Sequence, residues 1–286
     1  MIDPSLSRSV VVLLLLSAFS SPAIAAEWTV IEAKDLSEWS DPGKWWRTED
    51  GVFVAESEGG ESLPGIHYLE WKGSTGKDFE LSLEYRIITD LPQDAGVCFR
   101  VERPHGESPN LPCYQAELDT CNLYGKEKWI RQGKLFGHIH DGKRSHMFKR
   151  SLISTAQPNG KIVTKPQPKP FRPVAVFRKP PGWNQCRVVA VGEHVQLFLN
   201  DVLANEIHDR DPRKRPYGDG IALQYRPRGG YRFEVRTLKF RPLTAIPAPE
   251  PKPGSVEMAI ALTKAGDLEA AASTFEKAFA ANPSTK

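Results

Sequence analysis

Between Trp28 and Leu243 the chain alternates apolar and polar residues with a period of two. Phe79, Leu81, Leu83, Tyr85 and Ile87 alternate with Glu80, Ser82, Glu84 and Arg86, the pattern of a half-buried strand. Val97, Phe99 and Val101 alternate with Gly96, Cys98 and Arg100. Val195, Leu197 and Leu199 run into Asn200-Asp201, and Val202-Leu203-Ala204 follows. That order predicts a hairpin. Ile221, Leu223 and Tyr225 predict another strand, and Tyr231, Phe233 and Val235 a further one. Many short strands separated by Gly, Pro and Asp clusters predict an all-β sandwich or barrel.

Three segments break the pattern. Arg8 precedes an apolar run, Val10 to Phe19, too short to span a bilayer, and Ala23-Ile24-Ala25 follows. These features predict a secretory signal peptide over residues 1–25 and an exported, periplasmic or extracellular protein without a transmembrane segment. Between Pro158 and Pro181 lies a basic, proline-rich stretch, expected to be a long extended loop on the surface. Beyond a proline-rich linker at 244–254, Ala259, Leu262, Ala270-Ala271, Phe275 and Ala278 recur at helical spacing. Residues 255–286 resemble one tetratricopeptide repeat, a helical hairpin. A lone repeat needs a surface to cover its apolar face, so it should dock on the β domain, pair with a protein partner, or stay partly disordered.

Composition narrows the class. Lys and Arg total 38 against 35 Asp and Glu in 286 residues, a net charge of +3. That balance argues against a dedicated nucleic-acid binder. With 24 Pro and 22 Gly, long helices should be few. Export permits disulfides among Cys98, Cys113, Cys121 and Cys186. Cys113–Cys121 is the first pair to consider, and buried free thiols are the alternative.

The segment Tyr114-Gln115-Ala116-Glu117-Leu118-Asp119 carries the main candidate chemistry. As a strand it turns Tyr114, Ala116 and Leu118 to the core and Gln115, Glu117 and Asp119 to the other face. Two carboxylates about 7 Å apart raise each other's pKa, which suits acid and base work on a sugar. An ordinary solvated face is the competing reading. His138 and His140 alternate in the same way, with Asp141 and His146 nearby. Two imidazoles without a fixed third ligand are weak evidence for a metal, so substrate hydrogen bonding or a surface role is preferred. No motif calls for a cofactor, and a divalent metal stays open.

These motifs, in this order, resemble the 3-keto-disaccharide hydrolase family (domain of unknown function 1080), also described as 3-keto-glucoside lyase and 2-hydroxyglucal hydratase domains. The resemblance spans about residues 28–243. It runs through Lys34-Asp35-Leu36-Ser37-Glu38-Trp39, Asp50-Gly51-Val52, the Phe79–Arg86 strand, Asp94-Ala95-Gly96-Val97-Cys98-Phe99-Arg100 and the Tyr114–Asp119 segment. It continues through Gly133-Lys134-Leu135-Phe136-Gly137 (with Leu123-Tyr124-Gly125 competing for that match), Gly182-Trp183-Asn184, Leu199-Asn200-Asp201, Ile221-Ala222-Leu223-Gln224 and Phe233-Glu234-Val235-Arg236. Two departures stand out. The family's Glu and Gln are exchanged here as Gln115 and Glu117, and residues 126–181 are longer and more basic.

The resemblance implies a mainly β, concanavalin A-like jelly-roll sandwich of the lectin/glucanase type that binds a saccharide or glycoside. It implies elimination at a 3-keto-glycoside followed by addition of water. Glu117 or Asp119 would then be the base and His138 or His140 the proton donor. Arg100 would stabilise the enolate, and Gln115 and Gln224 would hold the sugar. A non-catalytic carbohydrate-binding module is the alternative, with Trp71, Trp129 and Tyr217 as aromatic platforms. A β-glucanase ranks lower, because Glu117-Leu118-Asp119 is followed by Asn122 where a second carboxylate is needed.

Overall fold

The computed structural model describes residues 26–57, 65–89, 93, 95–105, 110–119, 135–178, 181–226, 230–244, 259 and 268–281. In chain order the strands are β1 (Thr29–Val30), β2 (Trp46–Glu49), β3 (Val52–Glu56), β4 (His67–Glu70), β5 (Phe79–Ile88), β6 (Ala95–Val101), β7 (Tyr114–Glu117) and β8 (Ile139–Asp141). There follow β9 (His146–Phe148), β10 (Leu152–Ala156), β11 (Ile162–Pro166), β12 (Asn184–Val191), β13 (His194–Leu199), β14 (Val202–Asp209), β15 (Gly220–Tyr225) and β16 (Arg232–Pro242). A helical turn, α1 (Pro173–Val176), precedes β12, and a helix, α2 (Leu268–Ala281), lies near the C-terminus.

The strands form two sheets. The larger has the order β11-β10-β14-β13-β12-β5-β16-β3-β2, with β1 paired to β16, and the smaller has the order β4-β15-β6-β7-β8-β9. Neighbours are antiparallel except β10 and β14. Period-two alternation explains the stacking. Phe79, Leu81, Leu83, Tyr85 and Ile87 of the large sheet share one buried cluster with Val97, Phe99, Tyr114, Ala116, Leu223 and Tyr225 of the small one. Each such side chain contributes roughly 1.5–3 kcal/mol when fully buried. This is the expected jelly-roll-type sandwich.

The hairpin between β13 and β14 turns at Asn200 and Asp201, with φ of 48° and 64°. Leu199 faces Val202 across it. Two left-handed residues in a two-residue loop match the twist of the flanking strands. The proline-rich stretch expected to be a long extended loop differs in the structure. Ile162–Pro166 pairs with β10 as the edge strand β11. The turn before it is closed by Gln157 N, which donates to Lys161 O at 2.8 Å. Three β-branched residues, Ile162, Val163 and Thr164, then favour the strand, and Pro166 is tolerated because it sits on an edge.

The outer face of the large sheet is occupied by charges that pair with each other. Glu80 lies 3.2 Å from Arg187 and 2.5 Å from Arg241, Glu84 lies 2.8 Å from Arg236, and Arg232 joins Glu234 at 2.6 Å and Glu49 at 2.5 Å. Such surface pairs, across strands or along one as for Arg232 and Glu234, are worth about 0.2–1 kcal/mol each. Cys98, Cys113 and Cys186 are buried free thiols, and Cys121 lies outside the described residues. So do the leader at 1–25, Trp129 and most of the linker. Near the C-terminus the described residues include the helix α2, and most of 255–267, where the first helix of the expected hairpin would fall, lies outside the described residues.

Candidate functional site

Five of the sequence-predicted residues meet on the outer face of the small sheet. Strand register sets two adjacent rows. One row runs Glu70, Ala222, Cys98, Gln115, His140 and Met147 from β4 to β9. The next runs Tyr68, Gln224, Gly96 and Glu117. His138 completes the second row through a bulge. Gly137 N donates to Glu117 O at 3.1 Å, and Glu117 N donates to His138 O at 3.1 Å. Gly137, with φ of 82°, is the extra residue, so His138 lies opposite Glu117 on the same face. The positive φ favours glycine there, and an added Cβ would be tight against the core, 3.1 Å from Phe171 and 3.2 Å from Ala204.

Gln115 and Glu117 are 5% and 3% exposed, which excludes an ordinary solvated face. Gln115 Nε2 donates to Glu117 Oε1 at 3.2 Å. Cys98 Sγ lies 3.6 Å from Gln115 Oε1 and donates to it. The thiol therefore sets the amide's orientation. Gly96, between Gln224 and Glu117, places no side chain in the row. Those two strands are about 10 Å apart at twice the strand spacing. An added Cβ at Gly96 would lie 2.9 Å from Ala116 O and 2.9 Å from Gln115 Cγ.

His138 is held neutral. Burial, then Arg150 and Lys149, lowers its pKa to about 4. Arg150 Nη1 lies 3.4 Å from His138 Nε2. A guanidinium only donates, so Nε2 accepts and the ring proton sits on Nδ1. That atom is buried, with no hydrogen-bond partner among the described residues. Asp119 is also buried, just past the end of β7. His140 sits beside Gln115 in the register.

Arg100 is not brought to this face. The register between β6 and β15 shifts at Gly220/Ile221, leaving Arg100 as the extra residue with φ of 54°. The shift reverses the side-chain parity. Val101 packs with Cys98 in a small outer cluster, and Arg100 turns inward. Its Nε donates to Lys77 O at 3.0 Å, Nη1 to Gly192 O at 2.8 Å and Nη2 to Asp78 Oδ1 at 3.1 Å. The residue expected to stabilise an enolate instead ties the small sheet to the large one.

Asp141 also faces away from His140. Its carboxylate bonds Arg144, which reaches Asp209 with two bonds of 2.7 Å. Asp209 accepts from the Tyr114 hydroxyl as well. Burial raises the Asp141 pKa, partly offset by Arg144. This network fixes β8 against the end of β14, and neither Asp141 nor His146 completes a metal set with His140. The expected aromatic platforms lie elsewhere too. Trp71 packs on Phe240 with ring centroids 5.5 Å apart, and Tyr217 lies among Lys77, Arg100 and Arg215. A cavity of 590 Å³ beside Ile31, Lys34, Asp50 and Phe53 contains none of the site residues.

Sequence reasoning missed Tyr68, Glu70 and His105. Tyr68 flanks Gln224 in the row, and burial raises its phenol pKa, keeping it a donor. His105 Nε2 lies 2.9 Å from Glu70 Oε2. The alternation His67-Tyr68-Leu69-Glu70 was the available signal.

The model of the 3-keto-alpha-glucoside-1,2-lyase-like domain matches residues 27–241. No curated protein matches the chain. Among solved structures, a protein named only as a candidate glycosyl hydrolase from Parabacteroides distasonis is 20% identical, with a TM-score of 0.46. The alignment covers 76% of this chain and 100% of that one. The carbohydrate-binding module CBM66 from Bacillus subtilis is 12% identical with a TM-score of 0.38, covering 76% and 97%. A Bacillus subtilis protein of unknown function with a galectin-like fold is 8% identical with a TM-score of 0.41, covering 76% and 89%.

Proposed function

The chain belongs to the 3-keto-alpha-glucoside-1,2-lyase-like domain family, and from that premise we propose that it cleaves 3-keto-glycosides by elimination and hydration on the outer face of the small sheet. The observation that carries this reading is the buried Gln115–Glu117 pair, with His138 opposite Glu117 and Gly96 beside it. A ketone at sugar C3 acidifies the C2 proton. Glu117 takes that proton, with Asp119 as the second candidate base. The C1–O bond breaks, its electron pair leaves with the departing oxygen, and a C1=C2 double bond forms. His140 gives the departing oxygen its proton. His138, neutral and protonated on Nδ1, donates to the enolate oxygen, the role Arg100 is too far turned away to fill. Gln115 and Gln224 hold sugar hydroxyls. Water then adds to C1 and a proton returns to C2, giving the free 3-keto sugar.

The test is incubation with a 3-keto-glucoside while following ultraviolet absorbance of the enone and release of the leaving group. Saccharide binding without turnover supports the second reading, a binding module, which the inward turn of Arg100 favours. Absence of both turnover and binding overturns both readings. The leader pattern at 1–25 supports export, and an exported product whose sequence begins at Ala26 is the expected result.

A further inference from the structure

A second polar cluster lies on the other side of the sandwich, on the outer face of the large sheet. His194 of β13 faces His208 of β14 directly in the register. Glu206 precedes His208 by two residues and so shares its face. His194 Nε2 lies 2.8 Å from Glu206 Oε1, and His208 Nε2 lies 3.4 Å from the same oxygen. The two imidazoles stack at 4.3 Å with their planes 17° apart. All three ligand atoms fall within 4.8 Å of one another, the only such group among the described residues. We propose that His194, Glu206 and His208 bind a divalent transition-metal ion of the zinc type.

Two nitrogens and one carboxylate oxygen form a zinc-type ligand set, with a fourth position left for water. Imidazoles do not suit calcium or magnesium, which take oxygen ligands. At zinc bond lengths of about 2.0–2.2 Å, neighbouring ligand atoms in a tetrahedron sit roughly 3.4 Å apart. The two separations to Glu206 Oε1, 2.8 and 3.4 Å, are at or below that value and the third lies within 4.8 Å, so the ligand atoms are within reach of one ion once the stacked imidazoles rotate to converge their ring-plane lone pairs. The scaffold is stiff, because β14 is paired on both edges, by β13 and β10. The side chains of His194, Glu206 and His208 are 20%, 15% and 28% exposed, which admits an ion from solvent. The nearby cation Arg210 is paired to Glu193 at 3.0 Å, which reduces its repulsion of an incoming ion.

Zinc titration of the full chain by calorimetry tests this, with magnesium and calcium as controls. One zinc per chain is expected, with no response to the controls. His194→Ala, His208→Ala and the milder Glu206→Gln should each weaken zinc at least about 10–100-fold, a range reached even when an outer-shell partner is lost. The variants should turn over a 3-keto-glucoside as the parent does, since the cluster is on the opposite sheet from Glu117. Stoichiometric zinc binding unchanged in the His194→Ala/His208→Ala double variant, zinc binding lost only in His140→Ala, or no zinc binding by the parent would overturn the proposal. Because the readout is zinc, failure of the 3-keto-glycoside reading leaves this result intact.

Discussion

Gln115 and Glu117, two residues apart on β7, are joined by their side chains on the outer face of the small sheet, amide nitrogen to carboxylate oxygen at 3.2 Å. The bond holds a buried carboxylate beside the glycine gap and opposite His138. A buried carboxylate with a fixed donor and a defined rotamer is prepared for proton transfer without reorganisation.

Glu117→Gln should therefore keep the fold and lose the base. Turnover of a 3-keto-glucoside is expected to fall by about 10²–10⁴-fold, with sugar affinity changed much less. Stopped-flow absorbance and calorimetry separate the two effects. Parent-like turnover would remove Glu117 from the mechanism.

Gly96→Ala tests the gap in the row. The new methyl meets a backbone carbonyl, Ala116 O, at 2.9 Å, and strand pairing prevents that carbonyl from retreating. A cost of about 1–3 kcal/mol is expected from overpacking. Because Gln115 Cγ is equally close, kcat/KM should fall as well. Urea midpoints and initial rates read the two consequences.

Arg100→Met should behave in the opposite way. Its three bonds lie between the sheets, so loss of the guanidinium should cost about 3 kcal/mol. That is the low end for breaking a buried pair, because Asp78 keeps part of its solvent. At a temperature where the variant is folded, KM and kcat should match the parent. A large selective loss of kcat would return Arg100 to the reaction.

Arg144→Met removes the cation shared by Asp141 and Asp209, both fully buried. Leaving these carboxylates without it should cost about 3–5 kcal/mol, read as a lowered Tm in circular dichroism. Adding Asp141→Asn and Asp209→Asn to the variant should restore part of the loss.

His138 makes stability depend on pH. Unfolded, it takes up a proton below about 6.5, whereas in the fold it does so only near pH 4. Between those values the unfolded chain binds more protons, so stability is full above pH 6.5 and falls as the pH drops towards 4. The shift corresponds to at most about 3 kcal/mol, less what partial solvent exposure removes. Urea unfolding of His138→Gln should lack that component, and an identical pH profile would exclude His138 as its source.

The alternation in Tyr114–Asp119 and Ile221–Tyr225 was sufficient to place Gln115, Glu117 and Gln224 on the outward side. Side-chain direction in a regular strand depends only on odd or even position. The same rule failed for Arg100, where one inserted residue reversed the parity, but it held for Asp141, whose place beside His140 in sequence puts it on the opposite face. The Arg144–Asp209 pair spans 65 residues and left no periodic trace. Tyr68 and Glu70 reach the site through the pairing of β4 with β15.

The sequence by itself determined the regularly alternating strands β5, β6, β7, β13, β15 and β16, the Asn200-Asp201 turn and the polar content of β7, because these follow from local periodicity and backbone preference. Tertiary structure decided which rows meet. It set the Gly137 bulge that brings His138 opposite Glu117, turned Arg100 inward, and gathered His194, Glu206 and His208 on the far side of the sandwich. Each of those outcomes depends on the register between strands, and register is settled by how whole faces bury their apolar residues together.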